Sequence, residues 1–103
     1  MKFLNSFLIL CALASGAVHA SSKQAWSDQR QHMLKACLAI SQFKDAHALG
    51  KPAEFDDQVG YSALLIEGTY PQKHMQNRIG TELCLYDRQR QQAFVTDWEV
   101  GKR

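Results

Sequence analysis

Two cysteines, Cys37 and Cys84, are the residues best suited to covalent chemistry, because the third, Cys11, lies in an expected N-terminal leader. An even pair in a small exported domain reads as one disulfide. Closing a loop of about 46 residues is worth about 4 kcal/mol on the chain-entropy model, comparable with the whole stability of a small domain. The rival chemistry, thiol redox or metal binding, has neither a C-x-x-C spacing nor a Cys/His cluster behind it. Nucleophilic catalysis needs a free thiol or a serine beside a base, and Ser27, Ser41 and Ser62 sit in no G-x-S-x-G motif. A carboxylate pair for acid–base work can be drawn from Glu54, Asp56, Asp57, Glu67 or Glu82. A helix start explains the first three equally well, since acidic side chains favour its positive end. The expectation is a protein that is not an enzyme.

His-Met occurs twice, as His32-Met33 and His74-Met75. Imidazole with thioether suits Cu(I). Both methionines also fall on the apolar stripes described below, and adjacent helical residues point about 100° apart, so each pair meets one ion poorly. Core methionines are the plainer reading, and no metal or cofactor is expected.

The charged residues offer a binding surface instead. Glu54, Asp56 and Asp57 contrast with Arg78, Arg88 and Arg90. Such groups ordinarily form a solvated face, but an acidic patch also docks into a positive cleft, where complementary fields speed association. Tyr70 stands in the turn Gly68-Thr69-Tyr70-Pro71-Gln72, where a proline-stiffened aromatic loses little entropy on docking. Its alternative role is to fold back as a staple onto the third helix. Glu54, Asp56, Asp57 and Tyr70 are the candidate partner-binding residues.

Positioning these groups falls to helices in this reading. Period-2 alternation is never sustained, whereas Trp26, Met33, Cys37 and Ile40, widened by Leu34, Leu38 and Phe43, recur at helical spacing. Ser27 caps a first helix over about residues 28–48, and Gly50 stops it. Pro52 opens a second through Phe55, Val59, Ala63 and Ile66, with Gly60 at a close crossing. Gly68 and Pro71 end it. Pro71 starts a third through Met75, Ile79, Leu83 and Tyr86, and Asp87 caps a last one carrying Phe94, Val95 and Trp98. One long kinked helix over 71–99 is the alternative. The expected fold is an all-α bundle of three or four helices, with the disulfide joining the first helix to the third.

Compartment follows from the first twenty residues. Lys2 supplies a positive start, Phe3 to Ala17 an apolar core, and Val18-His19-Ala20 the small-x-small cleavage pattern. The core is about 15 residues, short of the roughly 20 that a spanning helix needs. Cys11 lies mid-core, away from any lipid-attachment point. Residues 1–20 are therefore expected to be a signal peptide and 21–103 a single helical domain, released into the oxidising periplasm and not bound to membrane. The 12 Lys/Arg against 10 Asp/Glu give a formal net charge of +2. No concentrated basic face exists, which argues against nucleic acid.

Three stretches carry a resemblance. Leu34-Lys35-Ala36-Cys37-Leu38, then Tyr61-Ser62-Ala63-Leu64-Leu65-Ile66-Glu67-Gly68-Thr69-Tyr70, then Glu82-Leu83-Cys84-Leu85-Tyr86-Asp87 together resemble the periplasmic immunity proteins that neutralise type VI-secreted amidases. The shared pattern is Leu-x-Glu-x-Thr-Tyr followed by a Cys-Leu…Leu-Tyr run, and the likeness spans Leu34 to Val95. The connection from Tyr70 to Cys84 is shorter than in that family, and the residues after Cys84 fit only with a gap. The resemblance implies an all-α fold, dimerisation, no catalysis, and a partner that is a secreted, cysteine-dependent peptidoglycan amidase whose cleft is blocked by a loop or helix end. A small periplasmic adaptor and, behind it, a Cu(I) carrier are the other readings.

Overall fold

The computed structural model describes residues 21–99. The expected leader lies outside the described residues. One helix, α1 (Ser21–Ile40), precedes four strands: β1 (Lys44–Glu54), β2 (Tyr61–Thr69), β3 (Ile79–Asp87) and β4 (Gln92–Asp97). A 3-10 turn, Lys73–Met75, interrupts the β2–β3 connection. The strands form one antiparallel sheet in the order β1-β2-β3-β4, each beside its sequence neighbour. The all-α bundle expected from the spacing, and implied by the family likeness, is not the fold of this chain.

The helical reading fails because β2 and β3 are apolar on both faces. Ala63-Leu64-Leu65-Ile66 is a continuous apolar run, and such a run satisfies helical and strand periodicity alike. Of the residues expected on a second helix, Phe55 and Val59 lie in a loop, while Ala63 and Ile66 point to opposite faces of β2. Of those expected on a third, Met75 belongs to the 3-10 turn, Ile79 and Leu83 share one face of β3, and Tyr86 lies on the other. Phe94 and Val95 likewise alternate across β4.

Only the first helix survives, with different ends. It already includes Ser21, the first described residue, so Ser27 is interior rather than a cap, and it stops at Ile40. The chain then turns at Phe43 and enters β1. Gly50 and Pro52 lie in that strand rather than at helix ends. β1 is an edge strand, where proline is tolerated. Its pairing with β2 shifts register between Lys44 and His47 and again between Leu49 and Ala53. The two irregularities hold Asp45 and Gly50, both at positive φ, which marks them as bulges. A kinked, lysine-bearing edge discourages further strand pairing.

Helix α1 lies across one face of the sheet, most closely against β4 and β3. Its Met33 and Cys37 join Phe43, Leu64, Ile66, Cys84 and Tyr86 in the core. Each large apolar side chain buried there contributes about 1.5–3 kcal/mol relative to exposure. Cys37 and Cys84 are bonded to each other, fully buried, with their Cα atoms 5.9 Å apart. The staple therefore falls between the two expected cysteines but ties the helix to a strand. With so few core residues, this cross-link is a large share of what holds helix to sheet.

At one end of the sheet two glycines allow close packing. Gly68 and Gly80 are cross-strand partners on β2 and β3. A methyl on Gly68 would run into Phe43, and one on Gly80 into the Tyr70 ring. The two rings meet edge to face there, with centroids 5.0 Å apart. Tyr70 thus folds back as a staple, onto Phe43 and the start of β3 rather than onto a third helix.

Candidate functional site

The loop joining β1 to β2, residues 55–60, is built around one arginine from a distant part of the chain. Arg88 follows β3, and its side chain is only 7% exposed. Its Nη1 donates to the Tyr61 carbonyl at 2.6 Å and to Ser62 Oγ at 2.9 Å. Its Nη2 donates to the Phe55 carbonyl at 2.6 Å and the Asp56 carbonyl at 3.2 Å. The backbone N–H of Arg88 also donates to the Gly60 carbonyl. A planar fork with donors in fixed directions can gather both arms of a loop in this way, and a lysine cannot. Burying a cation is costly unless its donors are paired. Here they are paired with carbonyl dipoles, and Asp57 Oδ1 stands 3.6 Å away.

Inside the loop, Asp56 does the remaining work. Its carbonyl accepts from the N–H groups of Val59 and Gly60, and its Oδ1 accepts from Val59 as well. Gly60, at φ +77°, supplies the left-handed step that lets the chain re-enter the sheet. The loop is fixed from within and below, while its outer side chains are free. Phe55 is 47% exposed and Val59 52%, and the Asp57 side chain is 90% exposed.

Helix α1 supports the same region. Trp26 lies over Arg88, with the guanidinium carbon 5.6 Å from the ring centroid, a cation–π arrangement. Arg30 forms a forked pair with Glu54, 3.1 Å from Nε to Oε2 and 3.3 Å from Nη2 to Oε1. Ala25, Trp26, Gln29, Asp57 and Arg88 line a shallow groove of about 300 Å³ between helix and loop.

The four residues singled out for partner binding therefore do not converge. Glu54, Asp56 and Asp57 cluster at the β1–β2 turn, with Glu54 engaged by Arg30 and Asp56 by the loop itself. Tyr70 lies at the far end of β2, about 30 Å away at about 3.4 Å per residue. Of the three arginines read as a basic surface group, Arg78 and Arg90 are exposed and Arg88 is buried. Sequence reasoning missed Arg88 as the organiser of the loop, and it placed Phe55 and Val59 on a buried helical stripe. Nothing local signals either, because the contacts join residues about thirty positions apart.

The remaining candidates separate as follows. Met33 is buried in the core while His32 is exposed, and His74 and Met75 stand in the 3-10 turn. No group of three or more His, Cys, Asp or Glu among the described residues is placed to hold a metal ion. Asp87, expected to cap a last helix, caps the β3–β4 turn instead: its Oδ1 accepts from the N–H groups of Gln89 and Arg90. His47 and Glu67 pair across β1 and β2 at 3.2 Å. The Asp45 carbonyl on Nδ1 and the Glu67 carboxylate raise the His47 pKa above its ordinary 6.5. No described helix is long and apolar enough to cross a membrane.

The described residues thus form a small helix-and-sheet domain, stapled by one disulfide, that presents a braced loop. No family model, curated protein or solved structure matches this chain.

Proposed function

We propose that this chain is an exported inhibitor-type binding module that inserts its β1–β2 loop into the cleft of a partner protein. The observation that carries the reading is the bracing of residues 55–60 by Arg88 while Phe55, Asp57 and Val59 remain exposed. A loop already held in one conformation loses little entropy on docking, and that saving is what lets a small contact area bind tightly. Two apolar side chains beside an exposed carboxylate, which also faces the Arg88 guanidinium, suit a cleft with an apolar floor and a basic rim.

The partner named by the family likeness is a type VI-secreted peptidoglycan amidase, and the chain is then a periplasmic immunity protein. That likeness also implied an all-α fold, which the chain does not have, so support for the inhibitor reading rests on the loop. Co-expression with a periplasmically directed amidase of the same genome tests it. Protection of the cells, lost in a Phe55→Ser/Asp57→Lys chain that folds normally, is the expected result. Failure to protect against any such amidase, or protection unchanged by the loop substitutions, removes the reading.

A further inference from the structure

The sheet face opposite the helix carries an inference separate from the loop. Along β2 and β3 the residues facing α1 are buried: Ser62, Leu64 and Ile66, then Glu82, Cys84 and Tyr86. The alternate residues face away, and they too are largely apolar. Register sets Leu49, Leu65, Leu83 and Thr96 abreast in one row, and Ala53, Ala63, Leu85 and Phe94 in the next. Trp98 continues β4 past its last residue, its N–H donating to the Thr81 carbonyl. With Leu49, Leu65 and Leu83 it lines a groove of about 300 Å³. Leu85, Phe94 and Trp98 are 38%, 47% and 45% exposed.

A solvated face of an antiparallel sheet is ordinarily polar, and strands apolar on both sides belong to sheets covered on both sides. The continuous Ala63–Ile66 run is a sequence of that second kind. Two features of the face choose its cover. Its two central rows hold no charged side chain, and the charges around them stand at the margin. Lys51 lines the groove from the β1 edge and His47 pairs with Glu67, so a copy of the same face can cover the apolar rows with these groups left at the rim. Its size is also sufficient. Four strands about 4.8 Å apart and about nine residues long give a footprint of about 600 Å². Two copies then bury about 1,200 Å², within the range of specific interfaces.

We propose that two copies of this chain pack sheet against sheet across a two-fold axis, with Leu85, Phe94 and Trp98 at the centre of the contact. Aligned sheets pack about 10 Å apart with strands within about 30°, and a two-fold contact pairs the same patch with itself. The braced loops stay outside the contact, so a dimer presents two of them.

Sedimentation equilibrium of the purified, oxidised chain between 1 and 200 µM tests this directly. The expected mass is twice that of one chain, and Leu85→Glu or Phe94→Glu should raise the dissociation constant at least tenfold. Phe94→Thr, which keeps strand propensity, should weaken association without loss of the far-ultraviolet dichroism, separating a lost contact from a lost fold. Phe55→Ser and Asp57→Lys should leave the mass unchanged, so failure here and failure of the loop reading are told apart. A monomer at 200 µM, a monomer whose sheet face takes up a different protein, or a dimer indifferent to all three sheet substitutions overturns the proposal.

Discussion

Ser41 and Glu82 are joined by a 2.7 Å hydrogen bond from the serine hydroxyl to Oε1 of the carboxylate. It links the residue after α1 to the middle of β3. Glu82 is only 2% exposed, two residues from Cys84 and directly across from Ile66 and Asp97. The same hydroxyl oxygen accepts from the Phe43 N–H, so one side chain turns the chain after the helix and partners a buried carboxylate.

Ser41→Ala should therefore cost more than an ordinary surface substitution. It strips the buried carboxylate of its side-chain donor, a loss of about 1–3 kcal/mol. Urea denaturation of the two chains side by side checks it. A change of less than a few tenths would show that the bond contributes nothing.

Removing the disulfide should cost several kcal/mol, the usual range for a native bridge in a small domain. The Cys37→Ala/Cys84→Ala chain, or the parent in reductant, should melt well below the oxidised parent. Equal midpoints would contradict the central role given to the bridge between α1 and β3.

Arg88→Lys should loosen the β1–β2 loop and destabilise the chain by about 3 kcal/mol, since hydrogen bonds to charged groups contribute about 1.5–3 kcal/mol each and lysine cannot span both arms. Hydrogen exchange should show lost protection at Val59 and Gly60 with the β3 amides retained. Unchanged protection at those two amides would refute the bracing argument.

His47 gives a pH dependence of definite sign. Its folded pKa lies above 6.5, raised by the Asp45 carbonyl and then Glu67. Its contribution to stability is thus fully present below pH 6.5 and is lost as pH rises through the folded value. The stability difference between the parent and His47→Gln should be larger at pH 6 than at pH 9, measured by thermal melts. The opposite order would mean that the pair with Glu67 does not form.

Gly80→Ala should unseat Tyr70, because the added methyl meets its ring. Overpacking of this kind costs about 1–3 kcal/mol. Near-ultraviolet dichroism from the tyrosine should fall with it, whereas Tyr70→Leu/Gly80→Ala should recover part of the stability.

The helix and the cysteine pairing were legible for a physical reason: both are signalled by residue types close in sequence or few in number. Met33 and Cys37 lie four apart on one apolar stripe, and with Cys11 assigned to the expected leader the two remaining cysteines allow one pairing. The turn residues were legible in chemistry but not in setting. Gly50, Gly60 and Asp87 do take special backbone or capping roles, at a bulge, a loop and a strand turn rather than at helix ends. The strands were hidden because Leu65, Leu83 and Leu85 are apolar where a solvated sheet face carries polar groups. Alternation, the one short-range mark of a half-buried strand, is erased when both faces are apolar.

By itself the sequence determined that Met33 and Cys37 share a helical face, the covalent partner of Cys37 once Cys11 is set aside with the expected leader, and the acidic cluster at Glu54, Asp56 and Asp57, since each depends on local spacing or simple counting. Trp26 and Ile40, expected on the same stripe, are exposed. Tertiary structure alone decided that Ala63–Ile66 is a strand, that Arg88 is buried beneath the loop, and that Tyr70 stands far from the acidic cluster. Strand register and long-range hydrogen bonds set those outcomes. They depend on which distant segments lie side by side, and no window of neighbouring residues contains that information.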